Sequence, residues 1–129
     1  MCVADYVAEI RRQILDTPHV VSHSLGYEDR PPIGAIVNGT VTFVDGSCLY
    51  IKEFLHLRPT PTRLKYSYHY TSPTRSLIVR YDNARDPRAR QLPTYPDHLH
   101  TASGLLPSSK PQLTSILREA TRYIRHPHQ

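Results

Sequence analysis

A strict two-residue alternation between Leu64 and Tyr70 constrains the fold of this chain more than any other feature of its sequence. Leucine and tyrosine side chains fall on one side of an extended strand, and Lys65, Ser67 and His69 fall on the other. A second β-rich run, Leu77 to Tyr81, follows the turn-like segment Thr71–Thr74. The pattern predicts an antiparallel hairpin with one apolar face for the core and one polar face.

The register of this hairpin follows if Thr71–Thr74 is a four-residue loop. Tyr68 then lies opposite Leu77, and Tyr66 lies opposite Val79. Leu64 joins the core face, opposite Tyr81. The other face gathers Lys65, His69 and Arg80, which makes it cationic.

The remaining segments supply further strands and two helices. Apolar residues at helical spacing predict a helix at the N-terminus, ended by Asp16-Thr17-Pro18, and a second at the C-terminus, begun by a capping box from Ser109 to Gln112. Residues 20–27, 33–44 and 49–55 read as strands, the last two joined by a turn at Asp45-Gly46, and the chain beyond Asn83 reads as an irregular loop.

These elements predict one α+β domain spanning residues 1–129. We expect an antiparallel sheet of about five strands, with an N-terminal and a C-terminal helix packed on one face. The 12 prolines are confined to loops, sheet edges and first helical turns, because proline lacks the backbone donor that helix interiors and ladders need.

The cysteine content and the N-terminus indicate a cytoplasmic protein. Cys2 and Cys48 are the only cysteines, and the sequence favours two free thiols in a reducing compartment. The first residues lack the basic and apolar regions of a signal peptide, and no apolar run is long enough for a membrane span. We therefore expect no contact with a membrane.

Positive charge is concentrated between Arg58 and Arg90. This stretch has a net charge of +6, whereas the whole chain has +5. Four tyrosines lie in the same stretch, and cations with aromatic faces are typical of surfaces that bind phosphates and unpaired bases, although a solvated basic face is the alternative. The residues predicted to bind nucleic acid are Lys65, Tyr68, Arg75, Arg85, Arg88 and Arg90.

Histidines are the remaining candidates for chemistry. Glycine-rich phosphate loops, Cys-x-x-Cys pairs and Gly-x-Ser-x-Gly turns are absent from the sequence, and no cofactor is predicted. His69 shares its predicted face with two cations, which favour the neutral imidazole that accepts a proton. His98 and His100 are two residues apart, as an acid/base pair or a metal pair would be.

Such a set suffices for ribonuclease chemistry, which needs a base, an acid and a cation for the phosphate. The predicted catalytic residues are His69, His98, His100 and Arg80. In this interpretation the reaction needs no bound metal.

An ordered set of short motifs resembles the TumE family of toxin–antitoxin toxins over roughly residues 35–120. The motifs are Asp45-Gly-Ser47, Lys65-Tyr-Ser-Tyr-His-Tyr70, Leu77-Ile-Val-Arg-Tyr-Asp-Asn-Ala84, Leu92-Pro-Thr-Tyr-Pro-Asp-His-Leu-His100 and Pro107-Ser-Ser-Lys-Pro111. The resemblance implies a toxin neutralised by a cognate helix-turn-helix antitoxin, and it points to Tyr68, His69, Arg80, Asp82, His98 and His100.

The chain departs from the family pattern at two places. Family members typically carry a His-His pair where Arg85–Arg90 has none, and a further histidine and a lysine where this chain has Asp97 and Leu99. Two alternatives to a histidine ribonuclease therefore remain open. One is a non-catalytic module that binds nucleic acid or the ribosome, and the other is a metal-dependent nuclease or phosphoesterase using Asp82, His98 and His100.

Overall fold

The computed structural model describes residues 2–127 and contains one seven-stranded antiparallel sheet with two helices. The strands follow one another across the sheet in chain order, so each pairs with its sequence neighbour. The elements are α1 (Val3–Leu15), β1 (Val20–Arg30), β2 (Gly34–Phe43), β3 (Cys48–His56), β4 (Thr62–Thr71), β5 (Leu77–Asp82), β6 (His98–Thr101), β7 (Gly104–Pro107) and α2 (Leu113–Arg125). The predicted α+β class is confirmed, although the sheet has seven strands where about five were expected.

Both helices cover the same face of the sheet, which we call the inner face. Each helix buries an apolar stripe: Val3, Val7, Ile10 and Ile14 on α1, and Leu113, Ile116, Leu117 and Ala120 on α2. Tyr6 on α1 hydrogen-bonds Glu53 of β3, and Glu119 on α2 accepts a bond from Tyr81 of β5. We call the opposite side of the sheet the outer face.

The hairpin of β4 and β5 has the predicted faces but a different register. Tyr68 pairs with Tyr81 and Tyr70 with Val79, four residues away from the predicted partners. The shift arises because β4 continues to Thr71 before a turn in which Ser72 bonds the backbone of Ser76. A register shift by an even number of residues leaves every side chain on its original face, so the predicted core face is still correct.

Leu64 is the exception, because a β-bulge precedes Lys65. Phe54 pairs with Lys65 and Leu55 pairs with Arg63, so Leu64 is the extra residue of β4. Arg63 consequently points to the inner face, and Leu64 is 49% exposed. Its predicted place in the core was wrong.

The irregular loop predicted beyond Asn83 contains two strands. A short 3₁₀ turn (Pro87–Ala89) leads through a connection to β6, which pairs with β5 and then with β7. The pairing of β5 with β6 brings His98 opposite Asp82 and His100 opposite Arg80. These missed strands place the histidines of the candidate site.

The start of α2 also differs from the prediction. The helix begins at Leu113, and Gln112 at its N-cap makes no side-chain capping bond, so the capping box from Ser109 is not formed. Instead, the carbonyl of Pro111 accepts a 2.7 Å hydrogen bond from Arg63.

Cys2 is exposed and Cys48 is buried, both as free thiols. Within residues 2–127, neither helix has the length and apolar character that crossing a bilayer demands.

Candidate functional site

Two rows of side chains cross the outer face from β3 to β6. The strand pairing aligns Tyr50, His69, Arg80 and His100 in one row, and Lys52, Ser67, Asp82 and His98 in the next. All eight point away from the helices, because they alternate along their strands with inner-face residues. Four strands therefore bring together residues that are far apart in the sequence.

An open groove of about 980 Å³, the outer groove, lies over part of these rows. Lys52, Lys65, Arg80 and Arg85 give it positive charge, and Asp82 is the carboxylate of its outer-face lining. Further lining residues are Ile36, Glu53, Phe54, Leu64, Tyr66, Ser67, His69, Asn83, Ala84 and Pro96. Neither His98 nor His100 lines the groove, but Arg80, which lines it, bonds His100.

Asp82, His98 and His100 form a compact group, which we call the Asp82 cluster. His98 Nε2 is 3.0 Å from Asp82 Oδ1, and His100 Nε2 is 3.3 Å from Asp82 Oδ2. The two Nε2 atoms are 3.1 Å apart. His98 is fully buried, and the side chains of Asp82 and His100 are 8% and 12% exposed.

The hydrogen-bond partners of His98 fix its orientation. Its Nδ1 lies 2.7 Å from the carbonyl oxygen of Pro96, so Nδ1 carries a hydrogen and donates. Nε2 faces the carboxylate of Asp82, which also only accepts when ionised. The bond to Pro96 therefore directs Nε2 toward Asp82.

Arg80 joins the Asp82 cluster to the outer groove. Its Nε donates to Asp82 Oδ2 over 3.0 Å, and its Nη2 donates to His100 Nε2 over 3.1 Å. Since a guanidinium cannot accept, His100 accepts at Nε2 and carries its proton on Nδ1. Burial and the charge of Arg80 lower the pKa of His100, although Asp82 opposes that change.

His69 lies on the other side of Arg80, across the β4–β5 pair. Burial, and then the positive charge of Arg80, lower the pKa of His69 below its ordinary value. The neutral imidazole is therefore favoured at neutral pH. Its ring centroid is 6.1 Å from that of Tyr50 on β3.

The cations predicted to bind nucleic acid separate into groups. Lys65 and Arg85 line the outer groove. Arg88 is exposed but pairs with Asp86, and its guanidinium lowers the pKa of that carboxyl to about 2. Arg90 is exposed outside the groove, and Arg75 lies in the β4–β5 turn, where it bonds the carbonyl of Gly46.

Tyr68 has to be removed from the predicted nucleic-acid surface. Its side chain is fully buried on the inner face, between Glu53 and Arg63. A buried ring offers no face to a base outside the protein, so its role is in the core.

Sequence reasoning missed Lys52, and the structure places Asp97 apart from the Asp82 cluster. Lys52 stands on the outer face, and the alternation of β3 contained that information. Asp97 stands at a position where this chain departs from the family pattern, and its carboxylate accepts a 2.6 Å hydrogen bond from Tyr66 outside the Asp82 cluster. Burial and this bond raise the pKa of Tyr66, so its hydroxyl stays a donor.

Comparisons with known proteins give one match. A family model described as Toxin TumE matches residues 10–127, which include the outer groove and the Asp82 cluster. No curated protein and no solved structure matches the chain.

Proposed function

Because the chain belongs to the TumE family of toxins, we propose that it is the toxin of a toxin–antitoxin system and cleaves RNA at the edge of the outer groove, where Arg80 bonds His100. The observation that carries this proposal is the position of Arg80 between His69 and His100 on one face of the sheet. A cation flanked by two imidazoles is the minimal set for cleaving a phosphodiester next to a 2′-hydroxyl.

Each residue of this row has a separate task in the proposed reaction. Neutral His69 removes the proton of the 2′-hydroxyl, whose oxygen forms a bond to phosphorus. The bond from phosphorus to the 5′-oxygen breaks, and that oxygen takes a proton from the imidazolium form of His100, which becomes the neutral imidazole. Arg80 binds the non-bridging oxygens, where negative charge accumulates. Adjacent strands are about 4.8 Å apart, so the two histidine backbones lie about 10 Å apart and their side chains can reach opposite sides of one phosphate.

Asp82 and His98 act as positioning residues in this proposal. Asp82 holds the guanidinium of Arg80, and its Oδ1 accepts from the backbone N–H of Ala84 over 3.0 Å. His98 is fully buried, so it acts through its contacts with Asp82 and His100. The predicted catalytic role of His98 thereby becomes support of the reacting groups.

Unpaired RNA in the cytoplasm is the proposed substrate. The attacking 2′-oxygen must align opposite the leaving 5′-oxygen, which a flexible single strand achieves more readily than a regular duplex. The four cations lining the outer groove attract the backbone without reading its sequence.

The antitoxin is proposed to neutralise the toxin by covering the outer groove. Acidic side chains would pair with Lys65, Arg80 and Arg85, and would exclude RNA by occupying its site. The helix-turn-helix type of this antitoxin stays a prediction.

The test is incubation of the purified chain with end-labelled single-stranded RNA in the presence of EDTA. We expect cleavage to survive EDTA, and to fall at least about 100-fold in His69→Ala and in Arg80→Ala. The matched controls are His126→Ala and Arg118→Ala, two exposed positions at or near the C-terminal helix. Circular dichroism and thermal melting establish that each variant is folded.

Three other outcomes would each overturn part of the proposal. Full cleavage by folded His69→Ala would remove histidine base catalysis. Cleavage lost with EDTA and restored by a divalent ion would establish a metal-dependent nuclease instead. RNA binding without cleavage in either condition would indicate a non-catalytic module.

A further inference from the structure

Beyond the proposed cleavage reaction, we infer that Asp82, His98 and His100 form a binding site for one divalent first-row transition-metal ion. Their potential ligand atoms converge from two adjacent strands, with separations of 3.0, 3.1 and 3.3 Å. The 3.0 and 3.3 Å distances run to different oxygens of Asp82, and one ligand atom from each residue lies within 4.8 Å of the other two. Together the three residues offer one carboxylate oxygen and two imidazole nitrogens to a single ion.

The spacing agrees with metal coordination. Ligands about 2.0–2.1 Å from a zinc ion at tetrahedral angles are about 3.3 Å from each other. Smaller angles, as in higher coordination numbers, bring them to about 3.0 Å. The Asp82 cluster therefore needs little movement to close around an ion.

Backbone hydrogen bonds orient the side chains of His98 and Asp82 for metal binding. His98 donates from Nδ1 to the carbonyl of Pro96, which leaves Nε2 as its metal-binding atom. The backbone N–H of Ala84 orients the carboxylate of Asp82 in the same way. Two imidazoles with one carboxylate suit zinc, cobalt and related ions better than magnesium or calcium, which prefer oxygen alone.

Binding of the ion would displace Arg80. Its guanidinium donates to both Asp82 and His100, at the lone pairs that the ion would take. The side chain of Arg80 is 38% exposed and lines the outer groove, so it has room to turn outward. The vacated side of the ion then opens toward the groove, and its remaining positions would take water or a phosphate oxygen of RNA.

Metal binding is measured without RNA, so the result is separate from the proposed cleavage. Metal-free Cys2→Ser protein, which lacks the exposed thiol, is titrated with Zn²⁺ against a chromophoric chelator. We expect one ion per chain, and at least about 100-fold weaker binding in Asp82→Asn and His100→Gln, since loss of a ligand exceeds the roughly 10–100-fold effect of losing an outer contact. His126→Ala should bind as tightly as the parent.

A second measurement on the parent protein guards against variants that fail to fold. The ring signals of His98 and His100 should change on addition of Zn²⁺ in heteronuclear NMR spectra, with those of His126 unchanged. Co²⁺ should give visible absorption typical of four- or five-coordinate nitrogen and oxygen ligation.

The inference is overturned if Zn²⁺ leaves the ring signals of His98 and His100 unchanged. Equal zinc affinity in the parent and in folded Asp82→Asn would overturn it as well. Either result leaves cleavage in EDTA untouched, whereas tight zinc binding by an inactive chain would support the site and reject the cleavage reaction.

Discussion

Two buried carboxylates lie on opposite faces of the sheet, and their partners differ in kind. Glu53, on the inner face, accepts hydrogen bonds from the hydroxyls of Tyr6 and Tyr68. Asp82, on the outer face, faces Arg80 and two histidines. Both carboxylates are almost inaccessible, with exposures of 2% for Glu53 and 6% for Asp82. The two carboxylates differ in the chemistry of the side chains that surround them.

The donors of Glu53 are fixed. Burial, and then the charge of Glu53, raise the pKa values of Tyr6 and Tyr68, so both hydroxyls keep their protons throughout the physiological range. Arg63 extends this group by donating to Tyr68 and to the carbonyl of Pro111 just before α2. The inner group therefore ties α1 and the start of α2 to the sheet, which is a structural task.

The groups around Asp82 are a guanidinium and two imidazoles, side chains of the kinds that bind phosphate or transfer protons in other proteins. They also adjoin an open groove rather than a layer of helices. Similar burial thus serves stability on one face and chemistry on the other. Exchanging each carboxylate for its neutral amide tests this distinction directly.

Asp82→Asn should give the largest effect, a loss of RNA cleavage of about 100-fold. The amide is uncharged and can turn its NH2 group toward Arg80, so the guanidinium loses the carboxylate that holds it in position for the phosphate. Initial rates on labelled RNA, with substrate concentration varied, measure the change. A fold retained by circular dichroism with unchanged cleavage would contradict the functional role of Asp82.

Glu53→Gln should reduce stability and leave cleavage nearly intact. One tyrosine hydroxyl loses its ionised acceptor in a buried site, which costs about 1–3 kcal/mol of the free energy of unfolding. Urea denaturation measures this loss, and cleavage rates are compared at a temperature where the variant is folded. A loss of activity as large as that of Asp82→Asn would show that the two faces are not independent.

Alternation along the strands predicted these two faces from the sequence, and its single failure has a physical cause. The predicted faces of β4 and β5 are correct although their register was wrong by four residues, because a shift by an even number of residues leaves each side chain on its face. Leu64 was misplaced because a bulge leaves no mark in an alternating pattern, and Arg63 moved inward as a result.

The Asp82 cluster was beyond pattern reasoning, although each of its residues had been singled out. Strands β6 and β7 have four residues each and lack an apolar alternation that would predict a strand. Their pairing with β5 decides that His98 meets Asp82, and pairing is a property of the folded sheet. The face shared by His69 and Arg80 was predictable, because both residues belong to one hairpin.

Neutralising single cations of the outer groove should weaken RNA binding by smaller amounts. Each phosphate contact with single-stranded RNA contributes about 0.7 to the slope of log affinity against log salt concentration. Lys65→Gln and Arg85→Gln should each reduce that slope by about this amount. Fluorescence anisotropy in a His69→Ala background avoids cleavage during the measurement.

Arg75→Gln is the matched control for this series. Arg75 follows the far end of β4, and Thr71 at that end is six residues, or about 20 Å of strand, from Lys65. The salt slope should therefore stay unchanged. An equal decrease in slope for Arg75→Gln would mean that RNA covers the β4–β5 turn as well as the outer groove.

The smallest expected effect is a change in the titration of His69 when Arg80 is neutralised. Burial lowers the pKa of His69 first, and Arg80 lowers it further, so Arg80→Gln should raise this pKa toward its ordinary value while leaving it below that value. In the parent, the neutral base persists as the pH falls below 6.5 and is lost only when the pH passes through the lowered pKa. In Arg80→Gln it is lost at a higher pH. NMR titration of the His69 ring measures both values without substrate, with Arg118→Gln as a control that should leave the pKa unchanged. An identical titration in all three proteins would mean that Arg80 does not set the charge state of His69, and the base would then owe its neutral form to burial alone.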